Sequence, residues 1–194
     1  MIRALLAAAF LATAAQAQEL PALYDVYDVA SDDVLNVRAG RSGSSDIIGA
    51  LTPNAKNIEV VRSQDGWALV NFGEQAGWVW MRYLKAAVEQ PLHGYPAQCF
   101  GAEPFWSLTN GSEMVFKLAG ETPINFAPVG GGTASGWSGK SYTLGVNGPS
   151  QLTAIITRES CNDGMSDRQF GLSTDIVLQT STGAALYSGC CLLR

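Results

Sequence analysis

Apolar and polar residues alternate along this chain in short bursts, and no stretch sustains a helical period. In the first half, runs at 23–29, 34–38, 46–51, 58–62, 67–72 and 78–80 are each three to seven residues long. Ser31-Asp32-Asp33, the small-residue loop 40–45, Ser63-Gln64-Asp65-Gly66 and the segment 73–77 separate them. Short strands with Gly and Asp at the corners predict a small antiparallel barrel. The second half repeats this grammar with runs at 105–109, 113–118, 123–129, 140–146, 152–158, 174–180 and 184–190. Gly130-Gly131-Gly132, Asn147-Gly148-Pro149 and Thr182-Gly183 are its expected punctuation. Leu152, Ala154 and Ile156 alternate with Thr153, Ile155 and Thr157, which gives that strand one wetter face. Seven or eight such strands predict a closed antiparallel barrel or a two-sheet sandwich, and linear hairpin order favours an up-and-down barrel. The chain is therefore expected to be all-β, in two units.

Charge and composition narrow the function more than the fold. The 194 residues carry 12 Lys and Arg against 17 Asp and Glu, for a net charge of −5. No two basic residues are adjacent, so the clustered cations that phosphate binding needs are missing and no nucleic-acid partner is expected. The one histidine, His93, removes most His-based metal sites and Ser/His or Cys/His catalysis. It sits between Pro91 and Pro96 in a segment, 86–98, that reads as a linker. At the N-terminus, Arg3 precedes an apolar stretch over 4–12, and Ala15-Gln16-Ala17 supplies small residues where a signal peptidase reads. Residues 1–17 are expected to be a secretory signal peptide cleaved near Ala17, because a membrane anchor needs roughly 20 apolar residues. The protein is thus expected in the periplasm or outside the cell and not to span a membrane. Its oligomeric state is left open.

Export makes disulfides the default use of the four cysteines, Cys99, Cys161, Cys190 and Cys191. Three pairings exist, and a Cys190–Cys191 bond is disfavoured because it closes a distorted eight-membered ring. The expectation is that Cys99 and Cys161 each take one of the terminal pair. Adjacent cysteines are not zinc spacing, so neither a metal nor another cofactor is assigned.

Four motifs in the first half then converge. Leu35-Asn36-Val37-Arg38-Ala39-Gly40 with Ser42–Ser45 behind it, Ile48-Gly49 to Leu51, Asp65-Gly66-Trp67 and Gly77-Trp78-Val79 resemble, in order and spacing, the bacterial SH3 (SH3b) domain. Arg41 stands where that family usually has proline. The resemblance places an SH3-like barrel over 20–85. It implies a binding module of exported proteins, often directed at cell-wall peptides, with no catalysis. Trp67, Trp78, Trp80, Tyr27 and Tyr83 form a large aromatic share for so small a unit, and such rings give a groove rigid contact area. Strand alternation puts Trp78 and Trp80 on one face, opposite Val79, and Trp78 is expected to fill the core. Arg38 is able to pair a ligand carboxylate, although a solvated surface role is the plainer one. The candidate ligand-binding residues are Tyr27, Asn36, Arg38, Trp67 and Trp80.

In the second half, the run from Cys99 to Leu108 (with Gly101-Ala102-Glu103-Pro104-Phe105-Trp106), the segment Glu159–Asp167 and the closing Gly189-Cys190 resemble motifs of an uncharacterised family of exported bacterial proteins. Ala102 stands where its first motif usually has threonine. That resemblance implies an architecture over 99–194 and no activity. Glu103 beside Pro104, Phe105 and Trp106 is a carboxylate in an apolar sequence setting, where a raised pKa or a hydrogen bond to a turn or to Arg158 is expected. Asn162, Asp163 and Asp167 are oxygen donors for calcium or, as Asn-Asp-Gly favours, residues of a turn. Together these features describe an exported, non-catalytic binding protein that recognises cell-wall peptidoglycan or an envelope protein. The alternatives are an accessory or regulator of wall hydrolysis and a lipocalin-like carrier using the second domain.

Overall fold

A computed structural model describes residues 19–88 and 98–193. The signal segment and the linker residues Pro91, His93 and Pro96 lie outside the described residues. Those described form fifteen β-strands, one 3-10 turn at Met81–Tyr83, and no α-helix. The first unit holds β1 (Ala22–Val26), β2 (Leu35–Arg38), β3 (Ile47–Leu51), β4 (Ile58–Gln64), β5 (Trp67–Phe72), β6 (Gln75–Trp80) and β7 (Leu84–Ala86). They make one antiparallel sheet in the order β3-β2-β6-β5-β4-β1-β7. Its core is small and β-branched: Val37, Val60, Val70 and Val79 are fully buried, with Tyr24 and Leu35 beside them. Asp65 and Gly66, both at positive φ (51° and 79°), form the two-residue reversal between β4 and β5. An Asp-Gly pair suits that hairpin because both central residues must turn left-handed.

The second unit is a closed eight-stranded barrel of β8 (Gln98–Ala102), β9 (Phe105–Asn110), β10 (Met114–Leu118), β11 (Ile124–Ala134), β12 (Trp137–Asn147), β13 (Ser150–Cys161), β14 (Phe170–Thr180) and β15 (Gly183–Cys191). Each strand pairs with its chain neighbours. β15 returns onto β8 through Cys190 opposite Phe100 and Cys191 opposite Cys99, so the up-and-down barrel holds and the sandwich does not. Leu152, Ala154 and Ile156 are buried, as the alternation predicts. Phe116, Phe126, Met114, Leu108 and Ile176 are buried with them in the barrel's core.

Glycine placement needs a correction. Gly130, Gly131 and Gly132 do not punctuate; they run through β11 opposite Leu144, Thr143 and Tyr142. The reversal comes later, at Gly136, which takes φ 80°. Two other glycines answer to packing. A side chain at Gly101 would run into the buried Trp106 indole, and one at Gly189 into the Phe100 backbone carbonyl and the edge of the same indole.

Period-two geometry also decides the disulfides. Neighbours on a strand point to opposite faces, so Cys190 and Cys191 reach partners on opposite sides of the sheet. Cys191 bonds Cys99 and Cys190 bonds Cys161, the arrangement in which the two earlier cysteines take one each.

The two units touch through hydrogen bonds and apolar contacts together. The Asn71 amide donates to the Gln169 carbonyl (2.7 Å) and accepts from the Gln169 N–H (2.9 Å), as a neighbouring strand would. The Glu59 carboxylate accepts from the Gly171 N–H at 2.7 Å and the Leu193 N–H at 3.5 Å. Pro21 lies where a side chain at residue 171 would be, and Leu23 and Ala87 join the barrel's core.

Candidate functional site

A groove of about 680 Å³ opens on the first unit, between the loops at 28–38 and the adjoining ends of β5 and β6. Asn36, Arg38, Trp67 and Trp80, four of the five residues picked from the sequence, line it together. Trp67 and Trp80 are directly opposite across β5 and β6, and their rings stack at 6.0 Å with an interplanar angle of 13°. Tyr83, brought round by the 3-10 turn, meets Trp80 edge-on at 6.3 Å. Trp80 is 47% exposed, too open to be a core residue and well placed to contact a ligand. Arg38 is half-buried and donates from Nη1 to the Ser45 carbonyl at 2.8 Å, which fixes its fork at the groove wall. It is thus not a freely solvated arginine.

Two expectations fail here. Tyr27 is not among the lining residues: it is exposed, with the Lys85 ammonium 5.8 Å from its ring. Trp78 does share a face with Trp80, but that face points outward while Val79 enters the core. The Arg41 and Arg62 guanidiniums each lie 5.4 Å from the Trp78 ring, so cations cover it where core side chains were expected.

The groove also holds residues that sequence reasoning passed over. Asp28, Asp33 and Asp65 are carboxylates on its rim, and Tyr83 was counted with the aromatics without being chosen. Asp28 takes φ 56°, a backbone state that Asp tolerates better than most residues. Asp65 is ion-paired to Arg41 at 2.5 Å. A run of aspartates at turns carries no spacing signal, which is why they escaped notice.

The motif residues of the barrel sit elsewhere and chiefly build structure. Trp106 is buried against Phe116, with centroids 6.0 Å apart. Glu103 is exposed at the β8–β9 turn, outside the apolar setting its neighbours in sequence imply. Arg158 donates instead to the Glu19 carbonyl at 3.3 Å. Asp163 accepts from the Met165 and Ser166 N–H groups at 3.0 Å and from the Ser166 hydroxyl. Burial pushes its carboxyl up, but those hydrogen bonds and the Arg168 charge outweigh it and hold it below the ordinary Asp value. Asn162 ties the same loop to the Ser166 and Arg168 carbonyls, and Asp167 stays exposed beside it. The side chains of Asn162 and Asp163 thus close the turn that Asn-Asp-Gly favours.

Among the described residues, no helix is long and apolar enough to cross a membrane. No curated protein and no solved structure matches the chain. Residues 33–85, which carry β2 to β7 and most of the groove, match the family model of the bacterial SH3 domain.

Proposed function

We propose that this is an exported, non-catalytic binding protein whose bacterial SH3 domain recognises cell-wall peptide, with the disulfide-stapled barrel as its rigid companion. One observation carries the reading: Asn36, Arg38, Trp67 and Trp80 line a single groove in the segment that matches the family. A stacked Trp pair beside a tethered arginine suits an extended peptide, since rings give apolar area at low entropy cost and the fork pairs a carboxylate. Two disulfides support an oxidising compartment outside the cytoplasm.

The test is co-sedimentation of the signal-free protein with purified peptidoglycan sacculi, scoring soluble muropeptides in the same tubes. Retention that falls with Trp67→Ala and Trp80→Ala, without muropeptide release, supports a wall-binding role. Absence of retention defeats the wall ligand and moves the search to an envelope protein. Release of muropeptides defeats the non-catalytic reading.

A further inference from the structure

The groove carries a charge pattern that a neutral peptide does not use. Three of the four charged side chains lining it are carboxylates: Asp28, Asp33 and Asp65, against Arg38. Arg41 neutralises Asp65. Among the described residues no Lys or Arg pairs with Asp28 or Asp33. Asp33 gives one oxygen to the Val34 N–H at 2.7 Å, and its other oxygen stays open to a ligand. These acids share the groove with the faces and edges of Trp67, Trp80 and Tyr83. The same rings already attract a cation, because the Arg82 guanidinium lies 5.5 Å from Trp80 and 4.9 Å from Tyr83. Carboxylates beside aromatic rings are what a primary ammonium on an aliphatic stem calls for. The acids pair the charge, the ring quadrupole attracts it, and the methylenes pack on the indoles.

Resting on the wall-peptide reading, we infer that the group this groove selects is the free side-chain ammonium of a diamino acid in the peptide stem. Asp28 and Asp33 hold the charge, Trp67 and Trp80 carry its carbon chain, and Arg38 takes a carboxylate of the same peptide. A stem whose amine is consumed in a cross-link is then a poor ligand, so the protein favours uncross-linked wall.

The experiment titrates the full signal-free chain, by calorimetry at low salt, with an N-terminally acetylated lysine-containing stem peptide and with the same peptide acetylated at Nζ. The free amine is expected to bind about tenfold tighter, a ratio that shrinks at high salt. Asp28→Asn with Asp33→Asn should erase the ratio; Asn suits the positive φ at residue 28 and leaves the fold intact. Arg82→Ala, which removes a competing cation, should tighten the free-amine peptide. Equal binding of both peptides, dependent on Trp80, overturns the ammonium inference and leaves the wall reading standing. Retention on sacculi without binding of either peptide also overturns it. Failure of peptides and sacculi alike removes both.

Discussion

Asn71→Ala removes one hydrogen-bonded pair from the joint between the first unit and the barrel while touching nothing in the groove. The wild-type amide forms two hydrogen bonds with the Gln169 backbone, at 2.7 and 2.9 Å, both partly buried. Each such bond contributes a net 0.5–1.5 kcal/mol or so, and water reaches a partly buried backbone group once the amide is gone. A loss of about 1–2 kcal/mol follows. In a protein of this size that is a fall in Tm of about 2–8 °C. Because Leu23 and Ala87 pack into the barrel's core and Glu59 binds the Gly171 and Leu193 N–H groups, the two units should melt together in the wild type. Differential scanning calorimetry reads both quantities, and amide exchange at Gln169 and Gly171 reports the joint directly. The variant should exchange faster there, keep its retention on sacculi, and show a broadened or split transition. Two separate wild-type transitions, or a variant with unchanged Tm and unchanged exchange at those amides, would refute a cohesive joint.

Three further outcomes follow from the same structure. Gly101→Ala drives a methyl into the Trp106 indole and should cost about 1–3 kcal/mol in denaturant unfolding, whereas Gly111→Ala, which meets nothing nearer than 3.9 Å, should be close to neutral; equal costs would place the indole elsewhere. The Cys99–Cys191 bond closes a separation of 92 residues and Cys161–Cys190 one of 29, so loop entropy assigns them about 4–5 and 3–4 kcal/mol respectively. Replacing the first pair with alanine should therefore destabilise more than replacing the second, and the reverse order in urea would refute that ranking. For Asp163, a folded pKa below the unfolded one means its contribution is complete above an unfolded value of about 4 and is lost as pH falls through the lower folded value; a carboxyl NMR titration with a midpoint at or above the unfolded value would reverse the sign.

Strand existence was legible in the sequence wherever burial alternates. The runs at 34–38 and 152–158 show it clearly, because a one-residue slip there exposes the whole apolar set. What escaped was set by partners distant in the chain. β7 has three residues and is a strand only because β1 lies beside it, with Tyr24 opposite Ala86. The three glycines at 130–132 look like a loop until β12 pairs with them. Trp78 was assigned inward because aromatics dominate cores, yet two arginines, Arg41 and Arg62, supply its cover from separate loops and strands. In the groove, rings were readable by type and by alternation, and Arg38 by its place in a motif. Asp28 and Asp33 were not, since their meaning comes from the aromatic wall they share and not from any spacing.

The barrel's motifs gain a physical explanation from this geometry. Gly101 carries no side chain because the Trp106 indole lies against it, and Gly189 because the Phe100 backbone carbonyl of β8 does, with the indole edge beside it. Cys190 and Cys191 stand side by side because one strand must reach two partners on two faces. Asn162 and Asp163 are where they are because their side chains saturate the backbone of the loop before β14. That loop leads to Gln169 and Gly171, which meet Asn71 and Glu59 of the first unit. The barrel's ordered loop thus ends in the joint, and the residues of the joint are distinct from those that line the groove. The groove therefore leaves its own walls out of the contact between the units, which is made by Asn71 and Glu59. The hydrogen bonds from Asn71 and Glu59 and the two disulfides thus lie on one continuous path from the first unit into the barrel wall.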